Sequence, residues 1–282
     1  MLDPHAPTTP WILGITVIAV LTVIIWRALR KDRLEYTRFK RYRSTKRRKA
    51  MFRRWVLQSL GVFGGSSLLL LLLAAPFVPL LLADINSIGW VVDARRSFSS
   101  SGVGTGLVIG LSLALVGGAV FGIIAARKET DIPALGDVQA LLPRTRAELR
   151  WGAALSINAG VVEELMFRLA LPAALYGVTR NAVAAVVLSL IIFALLHIYQ
   201  GLGGIIGSLV IGVVLMGIYL ASESILLAIV VHAAIDLRSL VLIPVVLFKV
   251  HTVRTGNGVV RRPAPAPVAA PPQETAAPES SA

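Results

Sequence analysis

Long uncharged apolar runs, separated by short polar segments, dominate the pattern of this chain. A helix needs about 20 mostly apolar residues to cross roughly 30 Å of hydrocarbon. Seven runs approach or reach that length, and two of them carry charged residues in their interior. The pattern therefore predicts an all-α fold, a polytopic transmembrane helix bundle of about seven spans. The predicted spans are 11–26, 55–83, 103–126, 151–171, 181–197, 203–221 and 224–249.

The segments between the runs are predicted to lie outside the hydrocarbon. Pro76 and Pro79 indicate that the second span bends or ends near them, because proline interrupts helix hydrogen bonding. Residues 84–101 are polar and predict a loop. Residues 127–150 are mixed in charge and predict a loop with room for a short surface helix. After the last run, residues 263–282 are Pro, Ala, Ser and Glu, which predicts a disordered tail.

Composition supports a membrane protein, and charge adds an orientation. The 282 residues are 56% hydrophobic with a mean hydropathy of +0.76, and the absence of Cys excludes disulfides and thiolate metal sites. The net charge is +13, and 14 of the 28 Lys and Arg lie between Arg27 and Arg54. Next to an apolar span, such a run favours anionic lipid over nucleic acid as its partner. The positive-inside rule then places residues 27–54 and the tail in the cytoplasm, with the N-terminus outside.

The fourth predicted span contains Glu163, Glu164 and Arg168. An ionised group at membrane depth costs roughly 2.5–3.5 kcal/mol on insertion scales, so these three need partners or a function. Glu164 and Arg168 are spaced i, i+4 and share a helix face, which predicts an ion pair. Glu163 points about 100° away and is left without that partner. It is therefore a candidate base.

Two of the four histidines are candidates for chemistry. His5 and His251 lie in terminal or loop sequence and are interpreted as solvated. His197 and His232 lie in apolar spans, and Asp236 shares a helix face with His232 at i, i+4. A single buried His is usually a packing residue. Two of them together with intramembrane carboxylates indicate a functional site.

These residues form three motifs that resemble one family. The motifs are two adjacent Glu with an Arg four residues after the second, a Phe with a His four residues on, and a His with an Asp four residues on. Their order and spacing resemble the CAAX-protease and bacteriocin-processing (CPBP, or Abi) family of intramembrane proteases, over roughly residues 143–240. The residues are Glu163, Glu164 and Arg168, then Phe193 and His197, then His232 and Asp236.

The resemblance implies an endopeptidase of a bacterial cytoplasmic membrane that acts on a membrane-associated protein or peptide. Glu163 and His197 would activate a water, and His232 and Asp236 would stabilise the oxyanion. Glu164 and Arg168 would fix the helix and its electrostatics. The family more often has Asn where this chain has Asp236, and an ionised Asp cannot donate to an oxyanion. Asp236 would instead orient His232 by accepting its ring proton, or carry a proton in its apolar setting.

The cofactor and the substrate stay open at this point. His197, His232 and Glu163 would suit zinc with an open coordination position, whereas a glutamate–histidine site needs no metal. A prenylated substrate is not implied. The domain organisation we expect is an N-terminal span with a basic segment, accessory spans, a protease-like core and a Pro/Ala-rich tail. Their bounds are 1–54, 55–142, 143–249 and 250–282.

Two other functions compete with proteolysis. Some members of the family are linked to bacteriocin self-immunity, so a non-enzymatic membrane scaffold is an alternative. Buried Glu, Arg and His also mark ion pathways, but a proton-coupled transporter would often show internal repeats, and the sequence has none that we detect.

The predicted spans also place the site unevenly in depth. Glu163 lies late in the fourth span and His232 early in the seventh, which puts both near the outer face. His197 would lie roughly 10 Å deeper at 1.5 Å per residue. Either the span count differs by one or the site opens outward, and a fifth helix that begins inside the membrane would remove the mismatch in depth.

Overall fold

The structure, a computed structural model, describes residues 1–100, 102 and 139–254. These residues form helices joined by turns, and none of them forms a β-strand, so the predicted all-α membrane fold is confirmed. Single 3-10 turns lie at Gln139–Leu141, His197–Gln200 and Val250–Thr252. The helices are α1 (Thr9–Lys40), α2 (Thr45–Ala74), α3 (Phe77–Ile85), α4 (Gly89–Ser99), α5 (146–179), α6 (Ala182–Leu196), α7 (Leu202–Ser222) and α8 (Ile225–Phe248).

Five of these helices, α1, α2, α6, α7 and α8, are long and apolar enough to cross a membrane. A sixth span results if α3 and α4, which meet at a bend of 97°, are counted as one broken helix. Large apolar side chains such as Ile15, Leu68 and Val230 are exposed on these helices. In an aqueous protein that exposure would be unfavourable, whereas in a bilayer it faces lipid. The chain is an integral membrane protein.

The expected count of about seven spans compares with five or six candidate spans among the described residues. The third predicted span, 103–126, lies outside the described residues. The fourth belongs to α5, which runs well beyond residues 151–171 in both directions and is about 50 Å long at 1.5 Å per residue. Its charged residues keep it out of the set of apolar helices. It is instead the central helix, packed against α1, α2, α6 and α8, with Met166, Phe167 and Leu171 fully or almost fully buried.

The basic segment 27–54 is helical, as predicted in part, and forms the adjoining ends of α1 and α2. Not all of it faces lipid or water. Arg48 is fully buried, lies 4.2 Å from the ring centroid of Phe39, and pairs with Glu148 of α5 at 2.9 Å. Arg48 therefore attaches the N-terminal helices to α5 and does not belong to the surface that the predicted lipid contact would use.

The expected loop at 84–101 is also wrong, since α4 occupies most of it. Val91 is buried in the core, and Arg95 pairs with Glu223 at the end of α7 at 2.7 Å. Helix α4 is amphipathic, because one face packs on the protein through Val91 and Arg95 while the opposite face is exposed. Its polar composition alone did not indicate this. The predicted end of the second span is confirmed, because α2 stops at Ala74 and Pro76 precedes α3.

The predicted disordered tail begins too early at residue 250. Val250 is buried, and the backbone N–H of Arg146 donates to the carbonyl of Val253 at 2.9 Å. These contacts fix the first residues after α8 against the start of α5. The remainder of the predicted tail lies outside the described residues.

Candidate active site

The central helix α5 carries three of the predicted site residues. Nε of Arg168 lies 3.1 Å from Oε2 of Glu164, and both side chains are fully buried, so the predicted i, i+4 ion pair is confirmed. Arg168 lies in a π-helical turn, Leu165–Ala170, where the helix widens locally. Its guanidinium carbon is 4.6 Å from the ring centroid of Phe193 on α6, a cation–π contact. π-helical turns like the one at Leu165–Ala170 often occur at functional sites.

Glu164 has a second partner that the sequence did not indicate. Its Oε1 lies 2.7 Å from Nδ1 of His232 on α8, so this carboxylate joins the guanidinium to the imidazole. Asp236 was expected to orient His232, but its Oδ2 lies 3.8 Å from Nε2, which is too long for a hydrogen bond. Of the two roles considered for Asp236, the orienting one is therefore wrong, because Glu164 makes that contact.

Glu163 and Asp236 both face the other nitrogen of His232. Oε2 of Glu163 lies 3.9 Å from Nε2, close to the 3.8 Å of Asp236. The side chains of Glu163 and Asp236 are 19% and 34% exposed, whereas that of Glu164 is fully buried. Of the two adjacent glutamates, Glu163 is thus the accessible one, and Glu164 is enclosed by its partners.

His197 is held by its own helix. Its Nδ1 lies 2.9 Å from the carbonyl oxygen of Phe193, and the His197 ring stands edge-on to the Phe193 ring with centroids 4.9 Å apart. A carbonyl oxygen only accepts, so Nδ1 is the protonated nitrogen. In the neutral ring, Nε2 therefore carries the free lone pair.

The expected difference in depth between Glu163 and His197 is absent. Helices α5 and α6 form an antiparallel pair joined at residues 180–181. Glu163 and His197 lie about 24 Å and 22 Å from that connection at 1.5 Å per residue, so they lie at the same level. The predicted depth of Glu163 is wrong because the fourth helix does not end at residue 171: α5 continues to Thr179.

One cavity of about 150 Å³ brings these two side chains together, and it is large enough to hold water. Glu163 and His197 both line it. Arg27 and Asp32, which pair at 3.1 Å, contribute to its wall from α1, and α2 contributes further residues. The sequence reading missed this contribution from the N-terminal segment. Asp32, an acidic residue five positions after the span-end Arg27 in a mostly basic segment, was the available signal. The wall also includes Tyr36, Trp55, Ser59, Phe63, Phe167, Phe193 and Tyr199.

The arrangement does not fit the zinc site considered from the sequence. Across the part of the chain that the structure describes, no three His, Asp or Glu side chains are placed to bind one metal ion. We therefore derive no step through a metal.

Fold and geometry together define an integral membrane protein with carboxylates and imidazoles gathered inside its helix bundle. Residues 145–238 match the sequence model of the family described as type II CAAX prenyl endopeptidase Rce1-like. The match covers about a third of the chain, from the start of α5 into α8, and includes every predicted site residue. The match confirms the resemblance to the CAAX proteases over these residues. Because the family is one of proteases, the match supports peptidase activity in general.

No curated protein and no solved structure gives a significant match to the chain. The assignment therefore rests on the family match and on the arrangement of the site.

Proposed function

We propose that this protein is an intramembrane endopeptidase that hydrolyses a membrane-associated protein or peptide with a water activated by Glu163 and His197. The observation that supports this most is the shared cavity. Helix α5 presents the partly exposed Glu163 carboxylate, and the turn after α6 presents the His197 imidazole, to the same cavity. A general base positioned on the attacking water accelerates peptide hydrolysis, and a second acceptor orients that water.

The chemistry needs few steps. A water in the cavity gives one proton to the Glu163 carboxylate, while Nε2 of His197 accepts a hydrogen bond from the other O–H of that water. The water oxygen attacks the carbon of the peptide carbonyl and forms a tetrahedral intermediate. The C–N bond then breaks, and Glu163 returns the proton to the leaving amine. The products are a carboxylic acid and an amine, and the enzyme regains its starting protonation.

The remaining predicted residues support this pair. Glu164 and Arg168 balance each other's charge in a fully buried setting and hold His232 from behind through its Nδ1. His232 then directs Nε2 toward Glu163 and Asp236. In this proposal His232 and Asp236, both on α8, set the electrostatic environment of the Glu163 carboxylate.

The proposed reaction is independent of a metal. Activity in proteoliposomes should persist when wild-type protein is treated with EDTA or 1,10-phenanthroline and then dialysed. Activity that is lost on chelation and regained with zinc would contradict this part of the proposal.

Substrate and activity are best approached together. Membranes that contain wild-type protein should yield peptides that are missing from matched membranes lacking it. A tagged form of the protein so identified should be cleaved by purified wild-type protein in proteoliposomes. Purified, folded protein that cleaves no such candidate would favour the non-enzymatic scaffold.

The proposed topology places residues 27–54 and the C-terminal tail in the cytoplasm, since positive charge beside spans stays inside. The native chain contains no Cys, so single cysteines can be introduced without background. Cysteines at exposed Arg43 and at Ser280 should react with an impermeant thiol reagent only after cell lysis, whereas a cysteine at His5 should react in intact cells. Labelling of Arg43→Cys in intact cells would refute this orientation.

The exposed part of the basic segment is proposed to bind anionic lipid and not nucleic acid. Arg27 and Arg48 are buried, whereas ten other basic residues of 27–54 are exposed. Replacing the exposed Arg41, Arg43, Lys46 and Arg47 by Gln should reduce retention of phosphatidylserine or cardiolipin by the purified protein, at about 1 kcal/mol per charge at the surface. Phosphatidylcholine retention serves as the control. Unchanged retention of the anionic lipids would contradict the proposal, and so would binding of duplex DNA at physiological salt.

A further inference from the structure

Tyr199 lies beside the proposed base pair, although no motif includes it. Helix α6 ends at Leu196, and the chain continues in the 3-10 turn His197–Gln200. The rings of His197 and Tyr199 are nearly parallel in this turn, at 28°, with centroids 6.1 Å apart. Both rings line the cavity that contains Glu163.

The hydroxyl of Tyr199 is arranged to donate. Nε2 of Gln200 donates to it at 2.8 Å, which occupies an acceptor position and leaves the O–H proton for another partner. Among the described residues, no hydrogen bond uses that proton. Tyr36 of α1 packs edge-on against the ring with centroids 5.5 Å apart. The ring is therefore fixed from two sides while its proton remains available.

The site needs a donor of this kind. A peptide carbonyl under attack by water develops negative charge on its oxygen, and a positioned donor there lowers the barrier. Asp236 stands where the family more often has Asn, and an ionised carboxylate cannot donate. Neither Asp236 nor His232 belongs to the cavity wall in the described part of the chain, whereas Tyr199 does.

We propose that Tyr199 is a further catalytic residue whose hydroxyl donates a hydrogen bond to the oxyanion of the tetrahedral intermediate. This inference rests on the proposed endopeptidase function. It assigns to the 3-10 turn after α6 both the acceptor for the attacking water, His197, and the donor for the carbonyl oxygen, Tyr199. It also explains how the site works with an Asp at position 236.

Tyr199→Phe is the test, because it removes one oxygen and keeps the ring contacts with His197 and Tyr36. In proteoliposomes, kcat should fall about 100-fold, the usual effect of losing one oxyanion donor, while KM changes little. Affinity for a peptidyl phosphinate, which mimics the tetrahedral anion, should fall by a similar factor, and affinity for the cleaved peptide product should not. Tyr219→Phe, which removes a hydroxyl from a buried tyrosine of α7 outside the cavity, is the matched control and should leave kcat unchanged.

The outcomes separate this inference from the function on which it rests. Cleavage that requires Glu163 but proceeds at the wild-type kcat in Tyr199→Phe overturns the role of Tyr199 alone. A loss of kcat in Tyr36→Phe without one in Tyr199→Phe does the same, because it moves the donor to the other phenol of the cavity. Cleavage that does not require Glu163, or no cleavage by the wild type, overturns the proposed function and this inference together.

Discussion

Glu163→Gln should reduce proteolysis by at least about 100-fold, the low end of the loss when a general base is removed. The substitution keeps the shape of the side chain and its capacity to hydrogen bond, and it removes only basicity. Since Glu163 is proposed to take a proton in the chemical step, the substitution should lower kcat. Cleavage of a tagged substrate in proteoliposomes, with folding checked by thermal unfolding in detergent, measures it.

Asp93→Asn is a suitable control, since Asp93 is a mostly exposed carboxylate in a surface ion pair of α4. It should leave kcat unchanged. His197→Ala should produce a loss similar to that of Glu163→Gln. The double variant should lose little more than either single one, because residues that activate one water act as a unit. Folded Glu163→Gln protein that cleaves at the wild-type rate would instead favour the scaffold alternative and make Glu163 a structural carboxylate.

Arg168→Met should lower the free energy of unfolding by roughly 3–5 kcal/mol, because it leaves the Glu164 carboxylate buried without its guanidinium. Met fills much of the same volume, so the effect reports charge more than packing. Glu164→Gln should cost a similar amount for the opposite reason, since Arg168 then stays buried and charged. The amide oxygen that replaces the carboxylate can still accept from His232.

The double variant, Arg168→Met with Glu164→Gln, should be more stable than either single variant, because neither buried charge remains. Chemical unfolding in mixed micelles measures the three free energies. Arg96→Met is the control, since its pair with Asp93 is mostly exposed and such pairs contribute little. A double variant whose loss equals the sum of the two single losses would show that the two charges are not coupled.

The sequence by itself determined the features that depend on neighbouring residues. Apolar runs of sufficient length predicted helices α1, α2, α6, α7 and α8, because hydrocarbon leaves a backbone few alternatives to the helix. The pair of Glu164 and Arg168 followed from helix geometry alone. Local composition led to an error at α4, where polar residues predicted a loop. The segment is helical, with Val91 buried in the core and Arg95 paired with Glu223 beyond the end of α7.

Only the tertiary structure decided how the motifs meet. Spacing along one helix could not show that Glu164 contacts His232 of another helix. Nor could it show that Glu164, and not Asp236, makes the hydrogen bond that orients the His232 ring. Nor could it place α1 in the wall of the cavity. Side chains that are far apart in sequence meet according to where each helix begins, ends and packs. The extension of α5 to Thr179 brought Glu163 level with His197, and the end of α6 at Leu196 turned Tyr199 toward the same cavity.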